Sequence, residues 1–77
     1  MNLIEKIVRD KIKYARDYNI DPTYVYLGKI EYSIIKEYFM ECLKFSADIK
    51  IEENKEIIFQ MEIIQVLNKD TFLKFGL

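Results

Sequence analysis

The segment TYVYLGKIEYSIIKEYFMECLKF, residues 23–45, carries the clearest structural signal in this chain of 77 residues. Residues 23–27 are rich in β-branched and aromatic side chains, which suits a strand. After Gly28 the apolar residues take helical spacing, at positions 32, 35, 39, 42 and 43. We therefore predict a strand over 23–28 that passes directly into a helix over 29–45.

Two further expectations concern this corner. The strand is almost continuously apolar, which predicts an internal strand that is buried on both faces. Gly28 is expected to form the corner because glycine adopts backbone angles that are closed to other residues. A glycine between a strand and a helix also occurs in nucleotide-binding loops. The other glycines and the lysine of those motifs are absent here, so a structural corner is favoured.

The N-terminal region predicts a first helix over residues 3–18. Its apolar line at helical spacing consists of Ile4, Val8, Ile12 and Ala15. Asn2 and Glu5 suit a capping box, in which the asparagine side chain accepts a hydrogen bond from a free backbone N–H. The helix is expected to end before Pro22, since proline cannot continue a helix.

The C-terminal region predicts a β-hairpin. Residues 47–52 alternate apolar and polar, residues 53–56 are a polar turn, and residues 57–63 alternate again. The alternation changes phase at Ile63-Ile64, which a bulge or burial of both faces over 63–67 would explain. Residues 73–77 alternate as a final strand, and a short helical turn over 70–75 fits almost as well.

These elements give an α+β protein forming one domain over residues 1–77. The predicted order is α-β-α-β-β with the additional final strand. Both helices are expected on one face of a three- to four-stranded mixed sheet. A chain of this length builds only a small core, which favours self-association.

Composition argues against most catalytic chemistry. The chain has no histidine and a single cysteine, Cys42, so Cys/His zinc sites, an internal disulfide and His-dependent nucleophiles are excluded. Asp48, Glu52, Glu53 and Glu56 surround the hairpin turn, where a solvated rim is favoured over a cation site. We predict a non-enzymatic protein with no cofactor and no metal. No segment is apolar enough to span a membrane, so a cytoplasmic location is expected.

Two surfaces remain as binding candidates. The first is aromatic, as interfaces often are, and would serve a second copy or a protein partner; its residues are Tyr24, Tyr26, Tyr38, Phe39 and Phe45. The second is the basic side of the first helix, which would contact the phosphates of a nucleic acid; its residues are Lys6, Arg9, Lys13 and Arg16. Acidic residues interleave with this basic series, and twelve basic groups face thirteen acidic ones in the whole chain, so the aromatic surface is preferred.

Three stretches resemble a known group of proteins. They are PTYVYLGKIEY at 22–32, MEIIQV at 61–66 and DTFLKFG at 70–76. Together they resemble small prophage-encoded proteins, and their order is similar to the axial domain of tailed-phage capsid proteins. The resemblance implies a structural or interaction module of viral or mobile-element origin, acting in the host cytoplasm. No catalytic or ligand-binding residues come with this family.

Overall fold

A computed structural model describes residues 2–42 and 49–77, and within them the chain forms two helices and one five-stranded sheet. The elements follow the order α-β-α-β-β-β-β. Their bounds are α1 Leu3–Tyr18, β1 Tyr24–Leu27, α2 Lys29–Cys42, β2 Ile49–Glu52, β3 Lys55–Ile58, β4 Met61–Gln65 and β5 Leu73–Gly76. The predicted α+β class is confirmed, and the sheet has more strands than the three or four expected.

The sheet is mixed, with strand order β2-β3-β4-β1-β5. β1 is parallel to β4, and the other neighbouring pairs are antiparallel. The final segment is therefore a strand and not a helical turn. β1 lies inside the sheet as predicted, but only Val25 and Leu27 are buried, while Tyr24 and Tyr26 on its other face are half-buried.

The extra strand arises from a turn at Phe59-Gln60 that splits the single strand expected over 57–63. Both residues have positive φ, 48° and 68°, as in the tight two-residue turns of hairpins. The sequence hides this turn, because apolar residues continue at every second position through Ile57, Phe59, Met61 and Ile63. The turn changes which positions face the core, since Ile58 pairs with Met61 on the core face and Ile57 lies on the opposite face. The side-chain ammonium of Lys11 on α1 donates to the carbonyl of Phe59 at 2.6 Å, which holds the turn against the helix.

The other hairpin turn is shorter than predicted. Glu53 and Asn54 alone form it, with φ of 53° and 65°, and Lys55 already belongs to β3. Beyond it, the phase change at Ile63-Ile64 involves no bulge, because β4 pairs with β1 in four consecutive positions. Ile63 is buried in the core, and Ile64 lies half-buried on the opposite face.

Both helices pack on the same face of the sheet, as predicted. That face contributes Val25, Leu27, Ile58, Met61 and Ile63 to the core. Ile7 of α1 and Ile35 and Phe39 of α2 complete this cluster, together with Ile49. Burying these aliphatic side chains supplies about 1.5–3 kcal/mol each relative to exposure.

Local signals at the ends of α1 are confirmed. The side-chain oxygen of Asn2 accepts a hydrogen bond from the backbone N–H of Glu5 at 2.8 Å. At the other end Asn19 takes the left-handed conformation, with φ of 58°, and Pro22 follows in a buried position. Asparagine tolerates this conformation better than most residues, so it ends the helix at little cost.

Gly28 forms the corner for a different reason than expected. No glycine of the described chain has positive φ, so unusual backbone angles are not what the position needs. A Cβ atom at Gly28 would lie 2.7 Å from the backbone nitrogen of Phe72 and 2.9 Å from the carbonyl oxygen of Asp70. The corner requires glycine because the 70–72 segment passes directly against it.

Candidate functional site: the open face of the sheet

The face of the sheet opposite the helices is covered by no described helix or strand. Strand alternation places one set of side chains on it, because neighbouring residues point to opposite faces. A row of paired residues crosses all five strands, namely Lys50, Ile57, Glu62, Tyr24 and Gly76. A second row contains Ile64, Tyr26 and Lys74. We refer to these side chains, with Glu52 and Lys55, as the open face.

Tyr24 and Tyr26 form the centre of the open face. They lie on the same side of β1 with ring centroids 6.4 Å apart and a 41° angle between the planes. The ring of Tyr26 also lies against Gly76 on β5, since a Cβ atom there would come 3.0 Å from its Cε2 atom. Because Gly76 has no side chain, the Tyr26 ring can lie directly against β5. Two half-buried tyrosines with apolar rings and polar hydroxyls suit a protein interface.

The apolar centre is surrounded by charges of both signs. Lys50 and Glu52 form an ion pair at 3.0 Å along the edge strand β2, and Lys55 contacts Glu62 at 3.6 Å. These pairs are exposed and contribute little to stability. They do, however, give the open face alternating charge, which a second copy of the same face can complement. A shallow depression of about 480 Å³ lies between Tyr24, Ile57 and these charged residues.

The Gly28 corner itself offers no anion site. The free backbone N–H groups at a helix start are the groups that bind phosphate. Here the N–H groups of Gly28, Lys29 and Ile30 donate to the carbonyls of Phe72, Lys69 and Asp70, at 2.9, 3.0 and 2.9 Å. The carboxylate of Glu31 in turn accepts from the N–H of Phe72 at 3.1 Å. The N–H groups at the corner therefore donate to the chain's own backbone carbonyls and are not available to an anion.

The five predicted interface residues do not form one surface. Tyr24 and Tyr26 lie on the open face, whereas Tyr38 packs half-buried against the core on the helix side. Phe39 is 2% exposed and belongs to the core, which leaves no part of its ring for a partner. Phe45 lies outside the described residues. The prediction also missed Ile57 and Ile64 as residues of this surface. The change of phase at Ile63-Ile64 was the available signal for Ile64, whereas Ile57 shares the sequence parity of the buried Met61 and Ile63 and gave no signal.

The four basic residues predicted to contact nucleic acid do share one side of α1. All of them, Lys6, Arg9, Lys13 and Arg16, are exposed on the side of the helix away from Ile7. Arg9, Lys13 and Arg16 line a common surface depression together with Asp10 and Ile12. Among the described residues, no salt bridge involves any of the four. The series is thus spatially continuous, and the carboxylates of Glu5, Asp10 and Asp17 lie within one helical turn of its members.

Three features of the described chain concern other classes of function. Among residues 2–42 and 49–77, no group of three or more Cys, Asp or Glu side chains is arranged to hold a metal ion. Neither described helix is long and apolar enough to cross a membrane. Tyr32 is the one described group with a clearly shifted pKa, and its hydroxyl donates to the Glu56 carboxylate on the helix side of the sheet. This hydrogen bond, with burial, raises the pKa of Tyr32 to about 12.

Comparison with known proteins adds no relative, since no family model, curated protein or solved structure matches the chain.

Proposed function

We propose that this protein is a small non-enzymatic interaction module that self-associates through the open face of its sheet. The observation that carries the proposal is the one-sided layering: both helices cover one face, and Tyr24 and Tyr26 are left at the centre of the other. A sheet normally buries one face against a partner layer, and a second layer on the other face adds burial that a chain this short lacks.

The chemistry of the open face supports a second copy as the partner. Two-fold association brings a surface against itself, so the surface must contain complementary groups. Ile57, Ile64 and the tyrosines provide an apolar centre, and the lysines and glutamates around them provide both signs of charge. Aromatic residues at the centre with polar residues at the rim are the usual anatomy of a specific interface.

Light scattering or native mass spectrometry across micromolar concentrations tests this proposal. We expect the parent protein to form a dimer or higher oligomer. Tyr24→Thr and Ile57→Lys should raise its dissociation constant by about tenfold or more, because central interface residues contribute most of the affinity. Both substitutions leave the core face untouched.

Met40→Gln is the matched control, because Met40 is 80% exposed on α2, away from the open face. It should leave association unchanged. A parent protein that stays monomeric at all concentrations would contradict the proposal. Association that survives both open-face substitutions would place the interface elsewhere.

A second candidate function, nucleic-acid binding, is favoured by the continuous basic side of α1. Fluorescence anisotropy with short single- and double-stranded DNA and RNA at low salt tests it. Replacing Lys6, Arg9, Lys13 and Arg16 by alanine should abolish a salt-sensitive interaction. Replacing Lys36 and Lys69, which are exposed outside α1, should not. Absence of binding by the parent protein at low salt removes this candidate.

The proposal includes an origin in a virus or mobile element and a location in the host cytoplasm, on the strength of the resemblance over residues 22–76. The genes that flank this one provide the test. We expect virion or prophage genes beside it, and consistently unrelated neighbours would contradict this origin.

A further inference from the structure

A groove separate from the open face runs between α1 and the edge strand β5. Within the described residues β5 ends the sheet and pairs only with β1. Tyr14 and Tyr18 of α1 form the wall of the groove, with ring centroids 4.6 Å apart, and Asp10, Lys13 and Asp17 of the same helix also line it. Leu73 and Phe75 of β5 form its floor, and the Tyr14 ring lies 6.1 Å from the Phe75 ring. The groove holds about 290 Å³.

The backbone of β5 leaves hydrogen-bonding groups facing this groove. The carbonyls of Phe72 and Gly76 both face β1, since they accept from the N–H groups of Gly28 and Thr23 at 2.9 Å each. Backbone groups of neighbouring residues in a strand point to opposite edges. The N–H and C=O groups of Leu73 and Phe75 therefore point away from β1, to the free edge of the sheet.

We infer that this groove binds an extended peptide segment of a partner protein, which adds to β5 as a sixth strand. Strand addition at a sheet edge uses main-chain hydrogen bonds for affinity and alternate side chains for specificity. The groups at Leu73 and Phe75 supply the hydrogen bonds. The tyrosine wall and the apolar floor select aliphatic or aromatic side chains at every second position of the peptide.

The charge of Lys74 indicates which residues suit the other side of the bound peptide. Lys74 belongs to the open face, on the opposite side of β5 from Leu73 and Phe75; it borders the groove and is exposed. In the described part of the chain no acidic side chain forms a salt bridge with it. Oppositely charged residues directly across neighbouring strands stabilise pairing, and like charges disfavour it. The structure thus favours a peptide in which acidic residues alternate with apolar ones.

A second copy of this chain suits the same edge less well. Antiparallel pairing of two β5 strands about a two-fold axis pairs Leu73 of each strand with Phe75 of the other, because these residues carry the outward backbone groups. That register sets the two Lys74 side chains directly opposite each other, and like charges across neighbouring strands disfavour pairing. A peptide with an acidic residue at that position meets Lys74 with opposite charge, so a partner peptide is favoured over a second copy.

The test uses a fluorescently labelled peptide VEVEVEV, with VKVKVKV as its charge-reversed counterpart. We expect saturable anisotropy for VEVEVEV with the parent protein. Slowed amide hydrogen exchange should appear at Leu73 and Phe75. Lys74→Glu should weaken VEVEVEV by about tenfold and favour VKVKVKV instead. Tyr18→Ser should weaken the binding of both peptides, because it removes part of the groove wall. Tyr18 is 67% exposed, so the change does not disturb the core.

Two controls make the outcome decisive. N-methylation of every second residue of VEVEVEV removes the backbone N–H donors along one edge of the peptide. Two such peptides are made, one for each edge. The peptide that lacks the donors facing β5 should not bind. Met40→Gln should bind as the parent does. No saturable binding at roughly millimolar peptide, or binding that survives Lys74→Glu and Tyr18→Ser, would overturn the inference. Because Tyr24→Thr leaves the groove intact, loss of self-association and loss of peptide binding are separable.

Discussion

At the residue scale, Gly28 shows how one missing methyl group decides where two segments pass each other. Its neighbours are backbone atoms of Asp70 and Phe72, which cannot rotate away as a side chain would. We expect Gly28→Ala to destabilise the protein by about 1–3 kcal/mol, the usual cost of forcing an extra carbon into a packed site. Urea denaturation followed by far-ultraviolet circular dichroism measures the change.

The matched control is Gly76→Ala. There the nearest atom to a new Cβ is the ring edge of Tyr26 at 3.0 Å, which belongs to a half-buried side chain and not to the backbone. Its cost should be smaller than that of Gly28→Ala. A Gly28→Ala protein as stable as the parent would show that the 70–72 segment moves freely and that the corner needs no glycine.

At the scale of elements, the hairpin β3–β4 depends on a turn whose residues do not favour it. Gln60 is exposed with φ of 68°, a conformation that costs a non-glycine residue roughly 1–2 kcal/mol. Gln60→Gly removes that cost. It also raises the conformational entropy of the unfolded chain, which lowers the free energy of unfolding by about 0.5–1 kcal/mol. We expect a net gain of up to about 1 kcal/mol in the free energy of unfolding.

Gln65→Gly is the matched control, because Gln65 does not have the positive φ of Gln60. Gln65 is the exposed last residue of β4, paired with Leu27 of β1, and is not among the residues with positive φ. Gln65→Gly should destabilise by about 0.5–1 kcal/mol, as glycine does within a strand. If both glycine variants lost stability equally, the turn at Phe59-Gln60 would not have the backbone described here.

At the scale of the whole molecule, Tyr32 joins α2 to the β2–β3 hairpin through its hydrogen bond to Glu56. The pKa of Tyr32 is raised from 10.0 to about 12, first by this bond, then by burial and by the Glu56 charge. The folded state therefore holds the phenol proton more tightly than the unfolded chain. Its contribution to stability is fully present below pH 10 and is lost as the pH rises from 10 to about 12.

Tyr32→Phe tests the contribution of this hydrogen bond. At neutral pH it should lower the free energy of unfolding by about 1 kcal/mol, the net value of one hydrogen bond. The variant should also lose less stability than the parent between pH 10 and 12. Tyr18→Phe, which removes an exposed hydroxyl from α1, is the control and should follow the parent. Parallel pH profiles for the parent and Tyr32→Phe would mean that the bond does not form in solution.

The sequence was sufficient for the features that depend on near neighbours. The bounds of α1 follow from Asn2, Asn19 and Pro22, and the strand-to-helix change at Gly28 follows from a change of apolar period. The turn at Phe59-Gln60 could not be predicted in this way, because neither residue favours positive φ and the alternation continues through it. Contacts with α1 hold that turn, so its cause lies outside the local sequence.

The candidate sites divide along the same line. The sequence by itself determined the absence of histidine chemistry, the basic series on α1 and the aromatic content of β1. Only the tertiary structure decided that Tyr24 and Tyr26 share the open face, that Phe39 is core, and that β5 lies at an edge of the described sheet beside Tyr14 and Tyr18. Chemical groups belong to residues, but exposure depends on which strands pair and which face the helices cover, and those are long-range contacts.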